Sequence, residues 1–114
     1  MAYEESLGCI SLKAKDAITT SKVAVKLGAN GIEVAGADDE AIGILQDPVK
    51  AGEAARVAVQ GISMAVAGET LAVGDNVVPG ANGKCVKTTA PYLKMGTAVE
   101  VASAAGDIIG IALK

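Results

Sequence analysis

The chain has 114 residues, a formal net charge of −3, and no histidine, phenylalanine or tryptophan. At this length it forms one domain, whose core must come from Val, Ile, Leu and Ala because the large aromatics are missing. The composition removes the commonest general base and metal ligand, and it lacks both the basic footprint and the stacking aromatics of a nucleic-acid binder.

Residues 1–20 carry Glu4 and Glu5 where a secretory leader would have basic residues and then an apolar run. Tyr3, Leu7, Ile10 and Leu12 are apolar at irregular spacing, which predicts an arm or an edge strand of the kind that docks on a partner. Val23, Val25 and Leu27 alternate with Lys22, Ala24 and Lys26, the period-two pattern of a half-buried strand. Asn30-Gly31 predicts a hairpin turn, because both residues tolerate positive φ. Ile32 and Val34 lie on the returning strand. Residues 41–46 form a third short strand, and 47–53 a loop punctuated by Pro48 and Gly52. Val57 and Val59 alternate with Arg56, Ala58 and Gln60, and 64–67 is a further short strand. Val77 and Val78 precede a second Asn-Gly turn, with strands expected over 84–89 and 97–102. Ile109, Ile111 and Leu113 alternate to the end. No apolar run reaches the ~20 residues of a membrane helix, and no membrane partner is expected.

Part of the chain repeats. Gly28-Ala29-Asn30-Gly31 recurs 52 residues later as Gly80-Ala81-Asn82-Gly83, and Ala51-Gly52-Glu53 recurs 54 residues later as Ala105-Gly106-Asp107. At the larger offset Val57 and Val59 fall on Ile111 and Leu113, so the inward face is kept, as strand register requires. The predicted fold is all-β: a small β-barrel or sandwich with an internal pseudo-duplication and an N-terminal arm. Residues 1–20 are the arm and 21–114 a single β-domain. Its repeat units, about 22–62 and 74–114, share one core and are joined by an unrepeated linker at 62–74.

Chemistry is hard to find. Cys9 and Cys85 lack metal-type spacing, and a disulfide between them remains an alternative to two free thiols. Cys85 sits in an alternating strand and reads as a structural thiol, although Lys84 and Lys87 flank it. Ser11 with Lys13, and Ser21 with Lys22, are solvated surface pairs with no third group placed by sequence. Asp38-Asp39-Glu40 reads as a solvated loop. The glycine-rich turns match neither phosphate-loop pattern. Leu93-Lys94-Met95 approaches the biotinyl-carrier pattern, but Leu93 stands where that pattern has Met. No cofactor and no catalytic or metal residue is expected, and the chain is not expected to be an enzyme.

The segment from Ala67 to Val78, Ala67-Gly68-Glu69-Thr70-Leu71-Ala72-Val73-Gly74-Asp75-Asn76-Val77-Val78, is followed by Asn82-Gly83-Lys84. With the ending from Gly96 to Leu113, it resembles the small capsid decoration, or cement, proteins of tailed bacteriophages. In that family a Gly-Asp strand start precedes an Asn-Gly or Asp-Gly hairpin, and an Ala-Gly-Glu/Asp turn precedes the final strand. The resemblance implies a non-enzymatic structural protein, made in the host cytoplasm and placed on the capsid exterior of the virion. It implies a homotrimer bound to the major capsid protein, with an N-terminal arm that adds a strand to the capsid surface. On that reading Tyr3, Glu4, Glu5, Leu7, Ile10 and Leu12 are the capsid-binding residues. A thin Val/Ala core fits such a protein, because subunit contacts supplement it. Two rival readings are another β-barrel module of a phage tail or fibre, and a carrier domain.

Overall fold

The computed structural model describes residues 5–37, 39–88 and 95–113, with side chains from Gly8 onward. Its strands are β1 (Glu5–Lys13), β2 (Ala24–Gly28), β3 (Gly31–Val34), β4 (Gly43–Leu45), β5 (Ala54–Val66), β6 (Asn76–Pro79), β7 (Cys85–Lys87), β8 (Gly96–Ala98) and β9 (Ile108–Leu113). All pair antiparallel. Among the described residues the helical content is one 3-10 turn, Ala81–Gly83. The chain is all-β, as its alternation predicts.

The sheet order is β3-β2-β4-β5-β9-β8-β6-β7, with β1 added on β5. Matching β2, β3, β4 and β5 with β6, β7, β8 and β9 makes this order a palindrome. Strand β5 belongs to both halves. Its beginning pairs with β1 and β4, and its end, from Ile62 to Val66, pairs with β9. Gly61, between the two parts, has φ 92°, the kind of bend that glycine allows inside a strand. Unit 1 is therefore β1 to β4 with the first part of β5. Unit 2 is the second part of β5 with β6 to β9.

The registers of the two units coincide. Leu12 opposite Ala55 corresponds to Ala65 opposite Ile109. Leu45 opposite Val57 corresponds to Ala98 opposite Ile111, and Val25 opposite Gly43 to Val77 opposite Gly96. Parallel bridges Ala14–Ile32 and Ala67–Cys85 curl each unit back towards its own first strand. The antiparallel bridges Ile18–Val49 and Leu71–Ala102 match as well.

These equivalences correct the organisation expected from sequence. The described part of residues 1–20 is a strand of the sheet followed by the core residues Ala14 and Ile18. It is the counterpart of 58–73, so neither the N-terminal stretch nor the 62–74 segment is unrepeated. At an offset of 53 these stretches share little beyond Gly8/Gly61 and Ala14/Ala67, too little to register without the pairing. There are also two cores and not one. Ala14, Ile18, Val25, Ile32, Leu45 and Val57 lie in unit 1. Ala67, Leu71, Val77, Cys85, Ala98 and Ile111 lie in unit 2, each the counterpart of the residue in the same place in the first series.

Two details of the hairpins differ from expectation. The Gly28–Gly31 pair closes a two-residue turn, whereas Gly80 N donates to the Lys84 carbonyl at 2.6 Å across a three-residue turn. Gly31 therefore matches Lys84, not Gly83, despite the identical tetrapeptides. Asn82 (φ 58°) and Gly83 (φ 73°) both adopt the left-handed conformation, but of Asn30-Gly31 only the glycine has positive φ. Alternation also misplaces β2: Leu27 is 60% exposed, and Ala24 is fully buried. Ala24 is covered because unit 2 packs on that face.

The seam between units is specific. Ala24, Ala35 and Ile44 of unit 1 join the core cluster of unit 2. Val66 N donates to the Lys22 carbonyl at 2.8 Å. Gln46 Nε2 donates to Ser63 Oγ at 3.0 Å and to the Ile44 carbonyl at 3.0 Å, while Lys22 Nζ donates to Gln46 Oε1 at 3.0 Å. Buried Gln46 and Ser63 are thus both satisfied, as burial of polar groups demands.

Candidate functional site

The described residues hold no group of three or more His, Cys, Asp or Glu side chains that could bind a metal. Cys9 and Cys85 are both free thiols, Cys9 exposed and Cys85 buried. Burial pushes the Cys85 thiol up to about 12, the opposite of what a nucleophile needs. Asp39 Oδ2 accepts a hydrogen bond from Gly36 N at 2.8 Å and lies 3.0 Å from Lys26 Nζ. The Gly36 bond first, then Lys26, holds the Asp39 carboxyl below the usual carboxylate range. This acidic run therefore fastens its own loop, and Asp38 lies outside the described residues. Leu93 and Lys94 also lie outside them, while neighbouring Met95 is buried in the unit 2 core. No helix among the described residues is long and apolar enough to cross a membrane.

What the molecule offers is surface. Of the N-terminal residues singled out from sequence, Tyr3 and Glu4 lie outside the described residues. Glu5 and Leu7 belong to β1, where Glu5 pairs with Ile62. Ile10 is 42% exposed. Leu12 is half-buried and packs on the unit 1 core, so β1 is partly structural.

Sequence reading missed the other exposed apolar side chains: Leu27, Val73, Val101 and Ile108. Leu27 lines an open groove with Leu12, Lys13, Ala29, Asn30 and Gly31. This groove has a counterpart on unit 2, lined by Val66 and Asn82 together with Thr20, Ser21, Val23 and Val34 of unit 1. In unit 2, then, the equivalent surface lies against another unit. Alternation alone cannot reveal this, because period two assigns a face without saying what covers it.

No curated protein matches the chain. The crystal structure of the head fiber gp8.5 N base in bacteriophage phi29 superposes with a TM-score of 0.73 at 23% identity. The match covers 95% of this chain and 94% of that one, and it establishes a shared fold. The phage cement protein family model matches residues 8–113, across both units, and the chain therefore belongs to the phage cement protein family.

Proposed function

We propose that this protein is a non-enzymatic cement protein that binds the outer surface of a phage head as a homotrimer and stabilises the major capsid lattice. The observation that carries this reading is the family match across both units, residues 8–113. The architecture suits it. A core of small aliphatic side chains gains from subunit contacts, and three linked copies reach high avidity from modest contacts. Absence of histidine from the chain and the strongly raised Cys85 thiol agree with a role without catalysis. The protein is made in the host cytoplasm and acts on the capsid exterior.

Capsid contact is assigned to the start of the chain, Tyr3, Glu4, Glu5 and Leu7, by addition of main chain to a capsid strand. Deleting residues 1–20 would not test this, because it would remove β1, Ala14 and Ile18. A cleaner test exchanges Glu4 and Glu5 for Lys and Tyr3 and Leu7 for Ala, with co-sedimentation on heads lacking the protein. Wild type should co-sediment, and the variant should bind at least about tenfold more weakly, the scale of one interfacial anchor. A folded wild-type protein that stays in the supernatant would refute the cement role. An unaffected variant would refute only the assignment of capsid contact to these four side chains.

A further inference from the structure

We propose that copies of this protein join head to tail, the unit 1 groove of one chain receiving the 72–76 segment of the next. The inference rests on the homotrimer reading above and names its contact. Within one chain, unit 2 docks on unit 1 through the seam already described. Unit 1 carries the structural counterpart of the unit 2 docking surface, and among the described residues of its own chain that groove is open. Unit 2 likewise carries the counterpart of the face that unit 1 presents.

Substituting counterparts into the seam gives the expected interface, and the pairs change together. Val23 and Val66 line one groove in the seam. Their counterparts are Asp75 and Lys13, an apolar pair replaced by opposite charges. Gln46 and Ser63 hydrogen-bond in the seam. Their counterparts are Val99 and Ile10, a polar pair replaced by an apolar one. Uncoordinated drift would leave an unpaired charge or a polar group against an aliphatic, which costs free energy when buried. Asp75 already accepts a hydrogen bond from Ala72 N at 2.9 Å and lies 3.8 Å from Lys87 Nζ. Lys13 would extend that pair across the contact.

Burial points the same way. Ser63, Ala65 and Pro79 are buried in unit 2, yet their unit 1 counterparts Ile10 and Leu27 are exposed and Leu12 is half-exposed. Val73, which falls on Thr20 at an offset of 53 and on Ser21 at the offset of 52 that holds from β2, both of them seam-groove residues, is 64% exposed. The unit 1 core is thus short of the cover that the unit 2 core receives. The facing residues Asn76, Thr88 and Thr97 replace Ala24, Ala35 and Ile44, giving a wetter contact than the seam. That suits a surface exposed before assembly. Ile10, which sequence alone assigned to the capsid, falls in this contact instead. Such an interface uses two different patches, so it cannot make a two-fold dimer, and on the homotrimer reading three copies close it into a ring.

Cysteine pairing tests this in a Cys9→Ser background. Ser21 and Asn82 line one groove at the seam, so Ser21→Cys with Asn82→Cys is the positive control and should be bridged within one chain by a flexible bis-maleimide. The counterpart pair, Val73→Cys with Asn30→Cys, should give covalent trimers with the same reagent. Either substitution alone should give only single chains on a non-reducing gel, and an equimolar mixture of the two should stop at dimers. Self-linking of either single variant would overturn the proposal, since two like patches would then meet. So would absence of linking in the double variant when light scattering still reports a trimer, which would leave the trimer reading intact. A monomer by light scattering would refute the trimer reading and this contact with it.

Discussion

At the scale of single residues, the duplication explains why certain glycines are irreplaceable. A Cβ on Gly43 would collide with the Ala58 carbonyl and come within 2.9 Å of Val57 Cγ1. On Gly96 it would lie 2.6 Å from the Ala112 carbonyl and 2.7 Å from Ile111 Cγ2. These are the same contact in two copies, and neither carbonyl can move without disturbing its strand. Gly43→Ala and Gly96→Ala should each destabilise the fold by about 3 kcal/mol, as overpacking does. Gly52→Ala should lose only about 1 kcal/mol, for Gly52 has φ 82° but open space around it. Urea melts of the three variants check the ranking, and equal losses would contradict it. Cys85 gives a pH prediction. Its folded-state value of about 12 lies above the ordinary 9.0, so the folded protein keeps a proton that the unfolded chain releases. This stabilisation is complete below about pH 9 and is lost as pH rises towards 12. A Cys85→Ala variant should lack that alkaline decline. Melts at about pH 8 and pH 10.5 that fall equally in both proteins would contradict the burial argument.

At the scale of elements, much was legible because period two is a local signal. The strands around Val25, Ile32, Val57, Val77 and Ile111 lie where alternation put them, and the Pro48–Gly52 region is a turn. Illegible parts are those set by what lies across an interface. Leu27 continues the alternation of Val25 but finds no cover, and Ala24 breaks it because unit 2 packs there. The identical Gly-Ala-Asn-Gly turns also mislead about register, since one extra residue is accommodated by the left-handed Asn82-Gly83 pair. The Gln46–Ser63 hydrogen bond at 3.0 Å fixes the end of β4 against β5. No sequence pattern announces it. Ser63→Ala leaves one buried Gln46 donor without this acceptor and should cost about 1–3 kcal/mol. Adding Gln46→Met should recover part of that loss, because both ends of the bond are then removed. Strict additivity in a double-mutant cycle would mean the bond contributes nothing.

At the scale of the whole molecule, one long strand, β5, is both the last strand of the first unit and the first of the second. That sharing joins the two small cores through one continuous sheet, and it leaves unit 1 with the counterpart of the docking surface that unit 2 has already used. The sequence disclosed the duplication through turns, but hid half of it, because 5–20 and 58–73 preserve pairing and burial with few identities. The chain belongs to the phage cement protein family, and on the function proposed above these surfaces make many modest contacts across a capsid and between copies. The most direct test is cryo-electron microscopy of the phage head with and without the protein. The cement reading predicts three-lobed density on the outer capsid surface, each lobe fitting one copy of the chain, present only with the protein. Identical outer surfaces in the two reconstructions, with the protein verified in the sample, would contradict it.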